Sequence, residues 1–136
     1  MAVLIKNADI TLYNKYYDLA SDTYKYQRTV IKGVNWQGKR NATVGDKGLN
    51  RDDSILIFID KLDNYVSPKR FDRLTEEERT KYFTFGLNDL VVKGEIDFEV
   101  TGIKPNSVAD LERQFDDVVN ILGVSPWSEH LEVECK

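Results

Sequence analysis

The chain has 136 residues, 41% of them apolar and 31% charged, with a formal net charge of −4. That is the length of one domain, and the acidic balance argues against a general binder of duplex nucleic acid, which needs clustered Lys and Arg. The single cysteine, Cys135, excludes an intrachain disulfide and suits a reducing compartment or an assembly that does without bridges. No apolar run approaches the roughly 18 residues of a membrane helix, and the opening Met-Ala-Val-Leu-Ile-Lys-Asn is too short and poorly flanked for a signal peptide.

In chain order, strand signals dominate. Asp9 to Tyr17 is rich in Ile, Thr and Tyr. Tyr24 to Trp36 is a long β-favouring run, with Val30, Val34 and Trp36 predicted on one face and Ile31 on the other. Residues 37–53 read as a long loop, with Gly38, Gly45 and Gly48 spread through charged and amide side chains. Ile55-Leu56-Ile57-Phe58-Ile59 reads as a strand buried on both faces. Thr75-Glu76-Glu77-Glu78 fits a capping box, predicting a short helix that ends near Lys81. Leu90–Lys93 and Ile96–Val100 flank Gly94-Glu95 as a predicted hairpin. A second helix starts after Ser107, with Val108, Leu111 and Phe115 on one face for docking on a sheet. Val118–Val124 and His130–Cys135 form a final strand pair. About seven short strands with one or two short helices predict one mainly β domain over residues 1–136, an α+β chain built as a β-barrel or sandwich.

The residues offer little to catalysis. His130 is the only histidine, so a Ser/His/Asp or Cys/His site has to be built around it. Cys135 lies an odd number of residues along the same predicted strand and faces the other side. His130, Glu132 and Glu134 share a face, but alternate positions of one terminal strand make a poor metal cage. Gly45-Asp46-Lys47-Gly48 lacks the spacing of a phosphate loop, and Asp46, Asn50, Asp52 and Asp53 lack that of an EF-hand. The expectation is therefore no catalytic residue, no metal and no cofactor. Tyr13, Lys15, Tyr16, Tyr17, Tyr24, Lys25, Tyr26 and Arg28 interleave rings with cations. Single-strand nucleic-acid sites use this mixture, and so do protein interfaces.

Several segments taken in order carry a resemblance. They are Asp9-Ile-Thr-Leu-Tyr-Asn-Lys-Tyr-Tyr17, Arg28-Thr-Val-Ile-Lys-Gly-Val-Asn-Trp-Gln-Gly-Lys39, Gly45-Asp-Lys-Gly-Leu49 with Ile55–Ile59, Tyr65-Val-Ser-Pro68, Tyr82-Phe-Thr84, Asp89-Leu-Val-Val-Lys-Gly-Glu95, Phe115-Asp-Asp-Val118 and His130-Leu-Glu-Val133. Together they resemble small structural proteins of tailed bacteriophages and prophages, encoded among the head and head–tail joining genes. The barrel with a long loop and short helix is also similar to stopper (head-closure) and minor capsid proteins. The resemblance spans nearly the whole chain and lies in the order of segments. The sequence departs from it between Val124 and His130, which is short, and at the ending Glu134-Cys135.

The resemblance implies a virion component, assembled in the bacterial host cytoplasm, that joins a homo-oligomeric ring at the portal vertex and is monomeric when alone. Its partners are portal, adaptor and tail proteins, without a membrane. A ring needs one patch of each copy to meet a different patch of the next. Tyr13, Tyr16, Tyr17, Trp36 and Trp127 are the expected interface anchors. The 37–53 stretch is the expected channel loop, with Lys39, Arg40, Lys47 and Arg51 for non-specific phosphate contact and Leu49 for burial by neighbours. The alternative is a phage single-stranded nucleic-acid-binding protein that uses the Tyr-rich N-terminal strands.

Overall fold

The computed structural model describes residues 5–39, 42–45, 48–51 and 54–136, with the backbone alone for those between 39 and 51. In chain order the elements are β1 (Ala8–Asp18), β2 (Thr23–Lys39), β3 (Ala42–Gly45), β4 (Gly48–Arg51), β5 (Ser54–Asp60), α1 (Pro68–Phe71), α2 (Glu76–Arg79), β6 (Leu90–Lys93), α3 (Val108–Gln114), β7 (Val118–Pro126) and β8 (His130–Cys135). Six strands close into a barrel in the order β1-β2-β5-β8-β7-β6. Every neighbouring pair is antiparallel. The fold is thus mainly β with three short helices, and a barrel rather than a sandwich.

The stretch expected as a loop is different. β2 continues through Gln37 to Lys39, and β3 and β4 pair as a hairpin with Val44 opposite Leu49. Thr43-Val44 supplies the β-branched residues that favour this.

The two longest strands begin the barrel and share one irregularity. Ala8 lies opposite Val34, but Ile10 lies opposite Ile31, so β2 carries one more residue than β1 there. This is a bulge, and Gly33 takes the positive φ of 73° within it. The Gly33 N–H is held by Asp9 Oδ1 at 2.9 Å. The bulge breaks the period-2 rule, so Ile31 and Val34 both point into the core. The expectation that they face opposite ways is corrected for that reason.

Two cores sit on the two faces of the same wall. Inside the barrel lie Ile10, Leu12, Ile31, Val34, Trp36, Ile57, Ile59, Val91, Ile121, Leu131, Val133 and Cys135, with Phe83 and Phe85. Outside it, Tyr13, Leu90 and Val92 meet Val100 and Leu111, with Val108 and Phe115 packed alongside. The predicted face of α3 therefore does dock on the sheet. Both predicted helices carry complete capping boxes, Thr75 with Glu78 and Ser107 with Asp110. α2 ends at Arg79, two residues earlier than expected.

β5 is a barrel wall with one dry face only. Ile57 and Ile59 are fully inside, whereas Ile55, Leu56 and Phe58 are half-buried. The expected hairpin at Gly94 is also absent. β6 pairs with β1 and β7, and residues 95–100 instead cross the outer face as an extended strap. Both edges of β1 are already taken there, by β2 and β6, so the strap has no ladder to join. Side chains hold it instead. Thr11 Oγ1 accepts from Ile96 N at 3.0 Å and donates to Gly94 O at 2.7 Å. The Tyr13 hydroxyl donates to Phe98 O at 2.6 Å, and Arg28 to Ile96 O at 2.9 Å.

Candidate interaction surface on the β1–β2 arm

β6 is four residues long and pairs only with Ile10–Tyr13 of β1. Beyond Tyr13 the barrel ends, yet β1 and β2 continue together, from Asn14 opposite Gln27 to Asp18 opposite Thr23. This two-stranded arm projects past the barrel. Its turn is closed by Asp18, whose carboxylate accepts from Ser21 Oγ at 2.8 Å and Ala20 N at 3.3 Å. Asp22 takes a positive φ of 55°, which Asp tolerates better than most residues.

Asp89 fixes where the arm leaves the barrel. Its carboxylate accepts from Lys15 N at 3.1 Å, taking the β1 amide that a longer β6 would have bonded. It also accepts from Asn14 Nδ2 at 2.8 Å and Gly86 N at 3.0 Å. Asn14 Nδ2 donates to Thr84 O at 2.6 Å as well. Burial pushes the Asp89 carboxyl above the usual carboxylate range, against the pull of those hydrogen bonds. A side chain at Gly86 would put its Cβ 2.9 Å from the carboxylate, so any larger residue there has to displace Asp89.

The arm has two unlike faces. Cross-strand pairing puts Lys15 beside Tyr26 and Tyr17 beside Tyr24 on the outer face. The Tyr17 and Tyr24 rings meet edge to face at 5.3 Å, and Lys15 Nζ lies 4.6 Å from the Tyr24 ring centre. Tyr24 is 63% exposed, and Leu19 at the turn is 85% exposed. The other face packs on the segment after α2. Gln27 Nε2 donates to Arg79 O and Tyr82 O, both at 2.9 Å, and the Arg79 guanidinium sits 4.3 Å from the Tyr16 ring centre.

The positive charge along β2 from Lys25 to Lys32 is already matched. Lys25 pairs with Asp18 at 2.8 Å, Arg28 with Glu99 at 2.7 Å and Lys32 with Glu95 at 3.4 Å. The Lys25 contact holds the Asp18 carboxyl below its ordinary range and raises Lys25 in turn.

Of the expected interface anchors, two are core residues. Tyr13 is fully buried in the outer core, and burial pushes its phenol up to about 12. Trp36 faces into the barrel, since its place after the bulge puts it on the Val34 side. Neither has surface to offer a neighbour. Tyr16 is half-buried under Arg79, and Tyr17 stays exposed at the arm tip. Trp127 is 54% exposed in the turn between β7 and β8. It stacks on His130 at 6.1 Å and donates to Glu132 Oε2 at 3.3 Å. Arg40 and Lys47 lie outside the described residues, as do the side chains of Lys39, Leu49 and Arg51. The sequence reading missed Asn14, Leu19 and Asp89.

His130 and Cys135 do lie on opposite faces. Cys135 is sealed in the core, where burial pushes its thiol up to about 12, while His130 packs on the outside against Phe58. No group of three His, Cys, Asp or Glu side chains among the described residues is placed to hold a metal ion. Among the described residues no helix is long and apolar enough to cross a membrane.

A family model covers residues 5–136, which takes in the arm, the barrel and both cores. The chain belongs to this family of unknown function, DUF6751. No curated protein and no solved structure matches it. The family match thus shares its extent with the fold, and the residues themselves have to carry any functional reading.

Proposed function

We propose that this chain is a non-catalytic structural subunit of a tailed-phage or prophage head–tail connector, assembling with portal, adaptor or tail proteins through its β1–β2 arm. The observation that carries the reading is the arm itself. A closed barrel has no sheet edges, so it resists unplanned association. This one nevertheless extends two strands beyond its closure and sets Tyr17, Leu19 and Tyr24 in solvent at the end. Large, stiff Tyr rings cost little entropy when they dock, and that suits an assembly contact. The order of segments that resembles head–tail joining proteins supports the same reading. Electron microscopy of the chain mixed with a tailed-phage portal protein tests the proposal. Ring-shaped density on the portal is expected, and its loss in Tyr17→Ala/Tyr24→Ala. Absence of any joint assembly in conditions where portal rings form would count against it. The same proposal assigns residues 37–53 to the channel. Replacing Val44–Asn50 with a short Gly-Ser turn should leave the chain folded while impairing DNA retention or tail joining.

A second reading is single-stranded nucleic-acid binding by the same arm, favoured by the row of Lys15, Tyr24, Tyr26 and Arg28 on one face. The carboxylates already paired with Lys25, Arg28 and Lys32 weaken it, because phosphates would have to displace them. Salt-sensitive binding of an oligothymidylate, lost in Lys15→Ala/Tyr24→Ala, would favour this reading over the connector.

A further inference from the structure

β2 has one strand partner at a time along its length. β1 flanks it from Thr23 to Val34, and β5 takes its other edge only from Asn35 to Lys39. No other described residue forms a backbone hydrogen bond with the Tyr24–Val30 segment. Which groups face that edge follows from one hydrogen bond. Lys15 N–H points away from β2, to Asp89. In an antiparallel pair, residues opposite one another point their N–H and C=O groups the same way, both inward or both outward. Tyr26, opposite Lys15, therefore points its N–H and C=O outward too, and the period of two adds Tyr24, Arg28 and Val30.

This edge matches itself. Turned antiparallel about a two-fold axis at Gln27, two β2 strands place Tyr24 opposite the partner's Val30 and Tyr26 opposite the partner's Arg28. All of these residues have outward groups, so each pair exchanges two backbone hydrogen bonds. Tyr26 against Arg28 sets a ring beside a guanidinium. In the same register Lys32 falls opposite the partner's Asp22, and Lys25 opposite the partner's Thr29. β2 holds Lys25, Arg28, Lys32 and Lys39 with no acidic residue, yet this register puts no two of its cations directly opposite.

We propose that a second copy of this chain is the occupant of the open β2 edge, paired two-fold and antiparallel over Tyr24–Val30. This goes beyond the connector reading and does not rest on it. It describes the chain outside any assembly, where an open edge would otherwise be exposed. A head-to-tail ring would have to release the pair first.

The test is sedimentation of the full chain over a range of concentrations, beside Val30→Pro. Val30 points its N–H outward, so proline there removes edge hydrogen bonds and leaves the β1 ladder intact. A concentration-dependent dimer is expected for the wild type. A monomer with an unchanged far-ultraviolet circular-dichroism spectrum is expected for Val30→Pro. Cross-linking tests the register separately and does not need the proline variant to fold. Tyr24→Cys/Val30→Cys should give an interchain disulfide on oxidation, whereas each single substitution should not. The two positions lie on one extended strand, too far apart to bridge within a chain, and native Cys135 is buried. A wild type that stays monomeric at every concentration overturns the proposal. So does a dimer that survives in a folded Val30→Pro, or a double-cysteine variant that cross-links no better than the single ones.

Discussion

The same two strands build both a fully buried and a solvent-exposed part of this protein. In the barrel half, the inward residues of β1 are Ile10 and Leu12, both fully buried in the inner core. In the arm half the corresponding positions are Asn14, Tyr16 and Asp18, and the core gives way to hydrogen bonds and ion pairs. The backbone pairing is continuous across the junction. What changes is the neighbour. Where β6 stops, Asp89 takes the next β1 amide, and the side chains no longer need to be apolar. Strand propensity therefore builds the hairpin, while burial decides which half holds the fold together and which half is left for a partner.

The largest break in this comparison comes from charging the barrel half. Ile57→Asp places an unpaired carboxylate in the fully buried centre and should cost about 4 kcal/mol or more, enough to unfold many domains of this size. Loss of the cooperative transition in urea is the expected readout. Truncating the outer core is milder. Leu111→Ala, at the fully buried base of α3, should cost about 2–4 kcal/mol, with a lower urea midpoint.

Substitution at the junction sharpens the comparison. Asp89→Asn removes one acceptor from a buried cluster of donors and should cost about 1–3 kcal/mol at neutral pH. Its pH dependence has a definite sign. The folded carboxyl lies above the ordinary 3.8 because it is buried, so between those values the native state holds a proton that the unfolded chain has released. Asp89's contribution to stability therefore falls as pH rises through that window and is level above it. Asp18, held below its ordinary range by Lys25, contributes with the opposite sign and loses stability as pH falls. Subtracting the Asp89→Asn urea melts from those of the wild type across pH isolates the first of these. The smallest effect is expected at the tip. Tyr24→Ala should change stability by less than about 0.5 kcal/mol while weakening self-association in sedimentation.

Much of the barrel was legible. The strand-forming runs and the Ser107 and Thr75 capping boxes lie where the sequence puts them, because each depends on neighbours within a few residues. Where the reading failed, the cause was non-local or backbone-specific. Period-2 counting cannot pass a bulge, so it sets Ile31 on the face away from Val34 and Trp36, whereas all three share the inner core. Glu95-Ile96-Asp97-Phe98-Glu99-Val100 has the alternation of a strand and does turn its apolar residues inward. It lacks a ladder because the strand edges beneath it are occupied. Ser67-Pro68, a cap followed by proline in the first turn, is a local signal for α1. The arm is harder to read. Its length is set by where β6 ends, and β1 carries only a faint trace of that point, the change from Ile10 and Leu12 to Asn14 on its inward side. For the same reason Tyr13 and Tyr17 look equivalent in sequence, although only Tyr13 lies beneath the strap.

Residue-resolved amide hydrogen exchange, followed at low and high protein concentration, tests the division between the closed ladders of the barrel and the open edge of β2 most directly. At low concentration the amides of Leu12 and Ile57 should exchange only through global unfolding, while those of Tyr24, Tyr26, Arg28 and Val30 exchange fast. Raising the concentration should slow these four and leave the barrel amides unchanged. If the four are as protected as Leu12 and Ile57 at low concentration, or stay fast at high concentration, the account of the Tyr24–Val30 edge of β2 as kept open for a partner is contradicted.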